Sequence, residues 1–191
     1  MIAIIDYGGG NLFSLKSSLA AIGREAVVTG DRAVLRAASH VILPGVGAFG
    51  DAAARLRAAG MAEAVLEAAA AGKPVLGICL GMQLLLERSF EYGEHPGLGL
   101  IPGEVRPIRD VIPAGLAVPH MGWNALRFPA ERPRSPIFAA LEEGEHVYFV
   151  HSYAGFACGE GLTAWTEFHP EKSGDVGLRI LKAFCGLEGE A

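Results

Sequence analysis

At 191 residues, 51% hydrophobic and 19% charged, the chain has the length and make-up of a packed globular protein and reads as one domain over residues 1–191. A net charge of −5, spread along the chain, argues against a nucleic-acid partner, which would call for a basic face. Three cysteines with no CxxC spacing fit a reducing, cytoplasmic setting better than a disulfide framework.

The opening "MIAIIDYGGG" has no basic leader, and Asp6 interrupts its apolar run, so it reads as a strand, Ile2–Ile5, and not as a signal peptide. Glycines follow, then a helical pattern over Leu12–Ile22 that Gly23 ends as a C-cap would. Glu25–Thr29 and His40–Leu43 are two further short strands, the second running into "PGVGAFG". Asp51–Ala71 is helix-rich, with Gly60 as a break. The longest apolar run, Pro74–Leu86, is too short to span a bilayer and reads as strand plus helix, so no membrane partner is expected. Within it, Pro74–Ile78 is the strand and Leu80–Arg88 the helix.

The second half changes character. Gly93–Gly103 reads as a loop, Glu104–Arg109 as a strand, and Pro113–Trp123 as a glycine- and proline-rich loop carrying "AVPHMGWN". Ala125–Phe128 and Val147–Val150 look like antiparallel strands, Thr163–Phe168 like another, and Gly174–Phe184 like a closing helix. Strands alternating with helices predict an α/β fold, a three-layer α/β/α arrangement around a central mixed, mostly parallel sheet.

The chemistry concentrates at Cys79, in "GICLG". G-x-C-x-G is the thiol form of the nucleophile elbow, whose glycines remove Cβ atoms that would collide as the strand turns into the helix. The corner puts the thiol at the C-terminal edge of the sheet, where open α/β sheets bind ligands. A helix N-terminus favours the thiolate, and the Leu80 N–H points toward the same spot as a candidate oxyanion donor. A buried structural cysteine is the competing reading. In "FHPEKS", His169 and Glu171 lie two apart in an extended segment and so face the same way, which lets a carboxylate orient an imidazole. A solvated loop is the alternative there.

With these motifs in view, the chain resembles the class I, triad-type glutamine amidotransferases, and among them the glutaminase subunits of imidazole glycerol phosphate synthase. "DYGGGN", "LPGVGAFG", "GICLGMQLL", "PHMGWN", "YFVHSY" and "FHPEKSG" match that pattern in order over nearly the whole chain. The glutaminase that serves pyridoxal phosphate synthase is similar at the cysteine corner and His-x-Glu but lacks the PHMGWN and VHSY segments.

The resemblance implies Cys79 as nucleophile, His169 as general acid and base, and Glu171 as the orienting carboxylate. It makes the backbone of Gly45, Val46 and Gly47 the second oxyanion donor beside Leu80, and puts Gln83, His151, Ser152 and Tyr153 at the substrate. Taken by themselves, the PGVG segment is a simple βα loop and Gln83 an ordinary polar helix residue. Asn11, His120, Met121, Trp123, Tyr148 and Lys172 are expected to face a partner, a (β/α)8-barrel cyclase subunit that uses the ammonia. A Trp123 packed on its own core is the bland reading. The resemblance implies no cofactor, and His40, His95 and His146 show no metal spacing. The chain departs from the pattern between Tyr153 and Phe168, where "AGFACGEGLTAWTE" is shorter than family members carry, and at Glu167, where glutamine is usual. This leaves a rival reading, a catalytically impaired glutaminase fold that only binds its partner.

Overall fold

Four short apolar segments, β1 (Ile2–Ile5), β2 (Ala26–Thr29), β3 (His40–Leu43) and β4 (Val75–Gly77), pair as a parallel sheet in the order β2-β1-β3-β4. The register aligns Ile2 with Ala26 and His40, and Ile42 with Leu76. Ile4, Ile5, Ile42 and Leu43 are fully buried, as strands covered on both faces must be. Each such side chain contributes about 1.5–3 kcal/mol of transfer free energy. The computed structural model describes residues 1–112, 118–166 and 182–185. The chain divides into two compact units, Met1–Val105 with Gly155–Ala157, and Arg106–Ala154 with Cys158–Ala191.

In the first unit, the strands are linked by α1 (Leu12–Ala21), α2 (Arg32–Ala37), α3 (Phe49–Ala58) and α4 (Met61–Ala70), and α5 (Leu80–Leu85) follows β4. Right-handed crossovers put α1 on one face of the sheet and α2 to α4 on the other. Local chemistry sets the helix ends. The Asn11 side chain accepts from the Ser14 N–H at 3.2 Å, and Asp31 accepts from Ala33 at 2.7 Å. Gly23, at φ +71°, ends α1, and Gly60, at φ +67°, separates α3 from α4.

The helix over Leu80–Arg88 is shorter than its apolar stripe suggested. It stops at Leu85, and Arg88–Ser89 is a strand, β5, pairing in parallel with Glu104–Val105 of β7 (Glu104–Pro107) and antiparallel with β6 (His95–Pro96). The Arg88 guanidinium donates to Glu104 at 3.0 Å across that pairing, a non-local contact invisible to periodicity. The stretch Ile108–Asp110 is a 3-10 turn and not the end of a strand.

The second unit holds β8 (His120–Arg127), β9 (His146–His151) and β11 (Trp165–Thr166) as an antiparallel sheet ordered β11-β8-β9, with β10 (Tyr153–Phe156) after β9. The segment PHMGWN is therefore part of a strand and not of a loop, because Met121 to Trp123 pair with Val150 to Tyr148. Leu126, Phe128 and Leu141 form its core with Phe138, Val147 and Phe149 against them. Phe168 and most of Gly174–Phe184 lie outside the described residues; Lys182–Phe184 is helical. Among the described residues no helix is long and apolar enough to cross a membrane.

The turn from β4 into α5 has no spare room. A Cβ on Gly81 would lie 1.9 Å from the Leu43 carbonyl oxygen, and one on Gly77 2.5 Å from the Met82 Cα. Both obstacles are backbone and cannot swing aside. Gly81→Ala is expected to destabilise the protein by more than about 3 kcal/mol, lowering the melting temperature by roughly 6 °C or more. Thermal unfolding followed by circular dichroism checks this; an unchanged melting temperature would contradict the packing of the turn.

Candidate active site

Cys79 sits between the last residues of β4 and the first turn of α5, at φ +56° and ψ −121°. That region is sparsely populated for a residue with a Cβ and costs about 1–3 kcal/mol, which the surrounding packing must supply. Its side chain is exposed while Leu80, Gly81 and Gln83 beside it are buried. The corner is thus rigid below the thiol and open above it. The Leu80 N–H, in the first turn of α5, has no acceptor within its helix and carries part of the helix's positive end.

The loop after β3 lies directly against this corner. A Cβ on Gly45 would be 2.6 Å from the Gly81 nitrogen and 2.9 Å from the Leu80 Cβ, so only glycine permits the approach. Gly45 is buried, whereas Val46 and Gly47 are exposed, with Gly47 at φ +94°. The Gly45 backbone therefore packs against the first turn of α5, which carries the Leu80 N–H. A helix-start N–H of this kind suits an anion or a developing oxyanion.

Two neighbours of this loop were not singled out in the sequence. The buried Tyr7 hydroxyl donates to the Pro44 carbonyl oxygen at 3.0 Å. Burial raises the phenol above its ordinary pKa; Arg55 pulls it down, and Cys79 pushes it further up, which reflects how near the sulfur lies. At the other end of the loop, a Glu91 oxygen accepts from the Phe49 N–H at 2.5 Å, capping α3. Tyr7 lies within the glycine-rich "DYGGGN" motif and could have been flagged there. Glu91 reaches across 42 positions, and no local pattern signals it.

Gln83 is only 6% exposed, on the inner side of α5. Asn11 is exposed, but its side-chain oxygen is engaged in capping α1. In the second unit, β8 alternates strictly. His120 and Asn124 face inward and are joined by a 2.7 Å hydrogen bond, while Met121 and Trp123 face the other way. His120 is thus on the opposite face of β8 from the two residues grouped with it as a partner surface. On that outer face Trp123 packs edge-on against Tyr148 with ring centroids 5.4 Å apart, and Met121, Tyr148 and Val150 are about half exposed. Inside, His151 stands opposite His120; burial holds its imidazole below the ordinary pKa, and the neighbouring His120 adds to the effect. Ser152 offers its carbonyl oxygen to the Ile108 N–H at 3.0 Å, and Tyr153 opens β10. His169, Glu171 and Lys172 lie outside the described residues. Among those described, no group of three or more His, Cys, Asp or Glu is gathered as metal ligands would be.

The family model described as glutamine amidotransferase class-I matches residues 3–167. The imidazole glycerol phosphate synthase subunit HisH of Wolinella succinogenes is 46% identical, covering 98% of this chain and 100% of its own. The protein of the same name from Sulfurimonas denitrificans is 48% identical, covering 96% and 97%. The Wolinella alignment runs over 207 positions against the 191 residues of this chain, so that relative carries residues with no counterpart here. A solved structure described as a glutamine amidotransferase superposes with a TM-score of 0.70 at 18% identity, covering 98% of both chains, and shows the same α/β fold. The chain belongs to the class-I glutamine amidotransferases and, within them, to the family of relatives named imidazole glycerol phosphate synthase subunit HisH.

Proposed function

We propose that this chain hydrolyses the side-chain amide of glutamine to glutamate and ammonia, and passes the ammonia to a cyclase subunit in histidine biosynthesis. The observation that carries the reading is the strained, exposed Cys79 at the start of α5, with the Gly45–Gly47 backbone against the same corner. The two units are taken as parts of one glutamine amidotransferase domain, because the family match runs through both of them.

The Cys79 thiolate attacks the amide carbon, and the resulting oxyanion is held by the Leu80 N–H and a donor from the Gly45–Val46–Gly47 loop. His169, oriented by Glu171, protonates the nitrogen as the C–N bond breaks, releasing ammonia and leaving a γ-glutamyl thioester on Cys79. His169 then takes a proton from water, which attacks the thioester; glutamate leaves and the thiolate is regenerated. Gln83, His151, Ser152 and Tyr153 hold the glutamine. No cofactor or metal is required for these steps.

The partner is a (β/α)8-barrel cyclase that combines the ammonia with a phosphoribosyl-formimino intermediate to give imidazole glycerol phosphate and the aminoimidazole carboxamide ribotide. Asn11, His120, Met121, Trp123, Tyr148 and Lys172 are assigned to that interface, with neither membrane nor nucleic acid involved and the complex in the cytoplasm. The face of the β8–β9 hairpin carrying exposed Met121, Tyr148 and Val150, with half-buried Trp123 packed on Tyr148, supports this, since a monomer gains little from leaving such side chains in water. His120, buried and bonded to Asn124, would act from behind that face.

Four outcomes test the proposal. Cys79→Ala should abolish glutamine hydrolysis, a loss on the order of 10⁴-fold or more, while the complex still makes product from ammonium salt; glutamine turnover surviving in the variant would refute the assignment. Glu171→Gln should be inactive or weak but milder than loss of Cys79, because the carboxylate only orients and stabilises the imidazolium. Wild-type rates in that variant would make Glu171 a bystander. Docking of the cyclase with a substrate analogue should raise the chain's glutaminase rate about tenfold or more, a population shift driven by partner contacts. Trp123→Ala should weaken that association about 30-fold, as loss of an aromatic anchor does; an unchanged titration midpoint would remove Trp123 from the interface.

A further inference from the structure

The loop between β3 and α3 is held at both ends and free in the middle. At its start, the Pro44 carbonyl accepts from the Tyr7 hydroxyl at 3.0 Å; at its finish, the Phe49 N–H donates to Glu91 at 2.5 Å. Between them Val46 and Gly47 are exposed, and Gly47 occupies φ +94°, where a peptide can turn over without a Cβ penalty.

Sheet order explains why a residue after β1 reaches a carbonyl after β3. The two strands are parallel neighbours, so Tyr7 and Pro44 leave the sheet side by side at its C-terminal edge. The phenol is wedged in place. A Cβ on Gly9 would lie 3.4 Å from the Tyr7 ring, and one on Gly10 2.9 Å from the Pro44 Cβ, so the glycine turn closes over both. Tyr7 as a whole is 6% exposed, and its buried hydroxyl donates to a backbone acceptor.

We propose that Tyr7 is a positioning residue for glutamine hydrolysis, its hydroxyl fixing the Pro44 carbonyl so that Gly45 stays against Leu80 and rearrangement is confined to the Val46–Gly47 peptides. The proposal rests on the reading of that loop as the second oxyanion donor. Without the hydroxyl, the Pro44–Gly45 peptide is free to tilt, and the donor spends less of its time aimed at the oxyanion. The turn carrying Cys79 has hydrogen bonds of its own, the Ile78 N–H donating to the Leu43 carbonyl and the Gly81 N–H to the Ile78 carbonyl, both at 3.0 Å. Burial keeps the phenol protonated, so it acts as a fixed donor and not as a proton shuttle.

The test is Tyr7→Phe in the complex with the cyclase subunit, which keeps the ring and its packing and deletes one oxygen. The expected result is a fall of about tenfold in kcat for glutamine, with KM changed less than about twofold, because the lost interaction acts on the transition state. Alkylation of Cys79 by iodoacetamide displaces iodide without building an oxyanion, and should proceed at the wild-type rate. The ratio of wild-type to variant kcat should stay flat between about pH 6 and about pH 9, as a protonated phenol requires. The proposal is overturned by a kcat within about twofold of wild type. A proportional loss in alkylation, the mark of general damage, or a ratio that varies with pH, the mark of proton transfer, would overturn it too. Cys79→Ala run alongside separates the two levels: turnover surviving there overturns the loop reading together with this proposal, whereas a silent Cys79→Ala with a fully active Tyr7→Phe overturns the proposal alone.

Discussion

The backbone of Cys79 turns out of a strand and into a helix at φ +56°, a conformation that a residue with a side chain resists. Three glycines make the turn possible. Gly77 and Gly81 leave space where the chain folds back on itself, and Gly45 lets a neighbouring loop come within contact of the first helical turn. An alanine at any of the three would place a methyl group 2.6 Å or less from backbone atoms. The strain is carried by the buried strand β3 beside the turn and by the buried face of α5 after it, so the packing that stabilises the sheet also holds the thiol out.

From that corner the rest of the first unit acquires its purpose. The parallel order β2-β1-β3-β4 brings the ends of β1, β3 and β4 to one edge. There "DYGGGN", "PGVG" and "GICLG", far apart in sequence, become neighbours. The links among them are short: a phenol on a carbonyl, a glycine against a helix start, a carboxylate capping the helix that follows. The second unit solves a different problem. Its strand β8 turns His120, Asn124 and Leu126 inward and Met121 and Trp123 outward. A strand with aromatic residues on the solvent side is poorly suited to a free surface and well suited to an interface.

Much of this was legible in the letters because it is local. The runs Ile2–Ile5 and His40–Leu43 coincide with β1 and β3, Gly23 and Gly60 punctuate helices where expected, and the thiol's corner follows from glycine spacing. The misreadings share one cause, pairing at a distance. Leu86–Arg88 has helical periodicity, yet Arg88 is drawn into β5 by Glu104, sixteen positions on. PHMGWN looked like a loop from its glycine and proline, but the ladder to Tyr148–His151 makes it a strand. The Glu91 contact was invisible for the same reason. Motif order, by contrast, carried the family, because it records the sheet edge without depicting it.

The central claim is that Cys79, alone among three cysteines, is the nucleophile. Buried Cys185 and half-buried Cys158, whose thiol burial pushes to a higher pKa, provide internal controls. The most direct measurement is peptide mapping by mass spectrometry after exposing the cyclase complex to a glutamine analogue with an electrophilic carbon in place of the amide. The account predicts one covalent adduct, on the peptide carrying Cys79, suppressed by excess glutamine. An adduct on Cys158 or Cys185 instead, or labelling of Cys79 that glutamine fails to suppress, would contradict it.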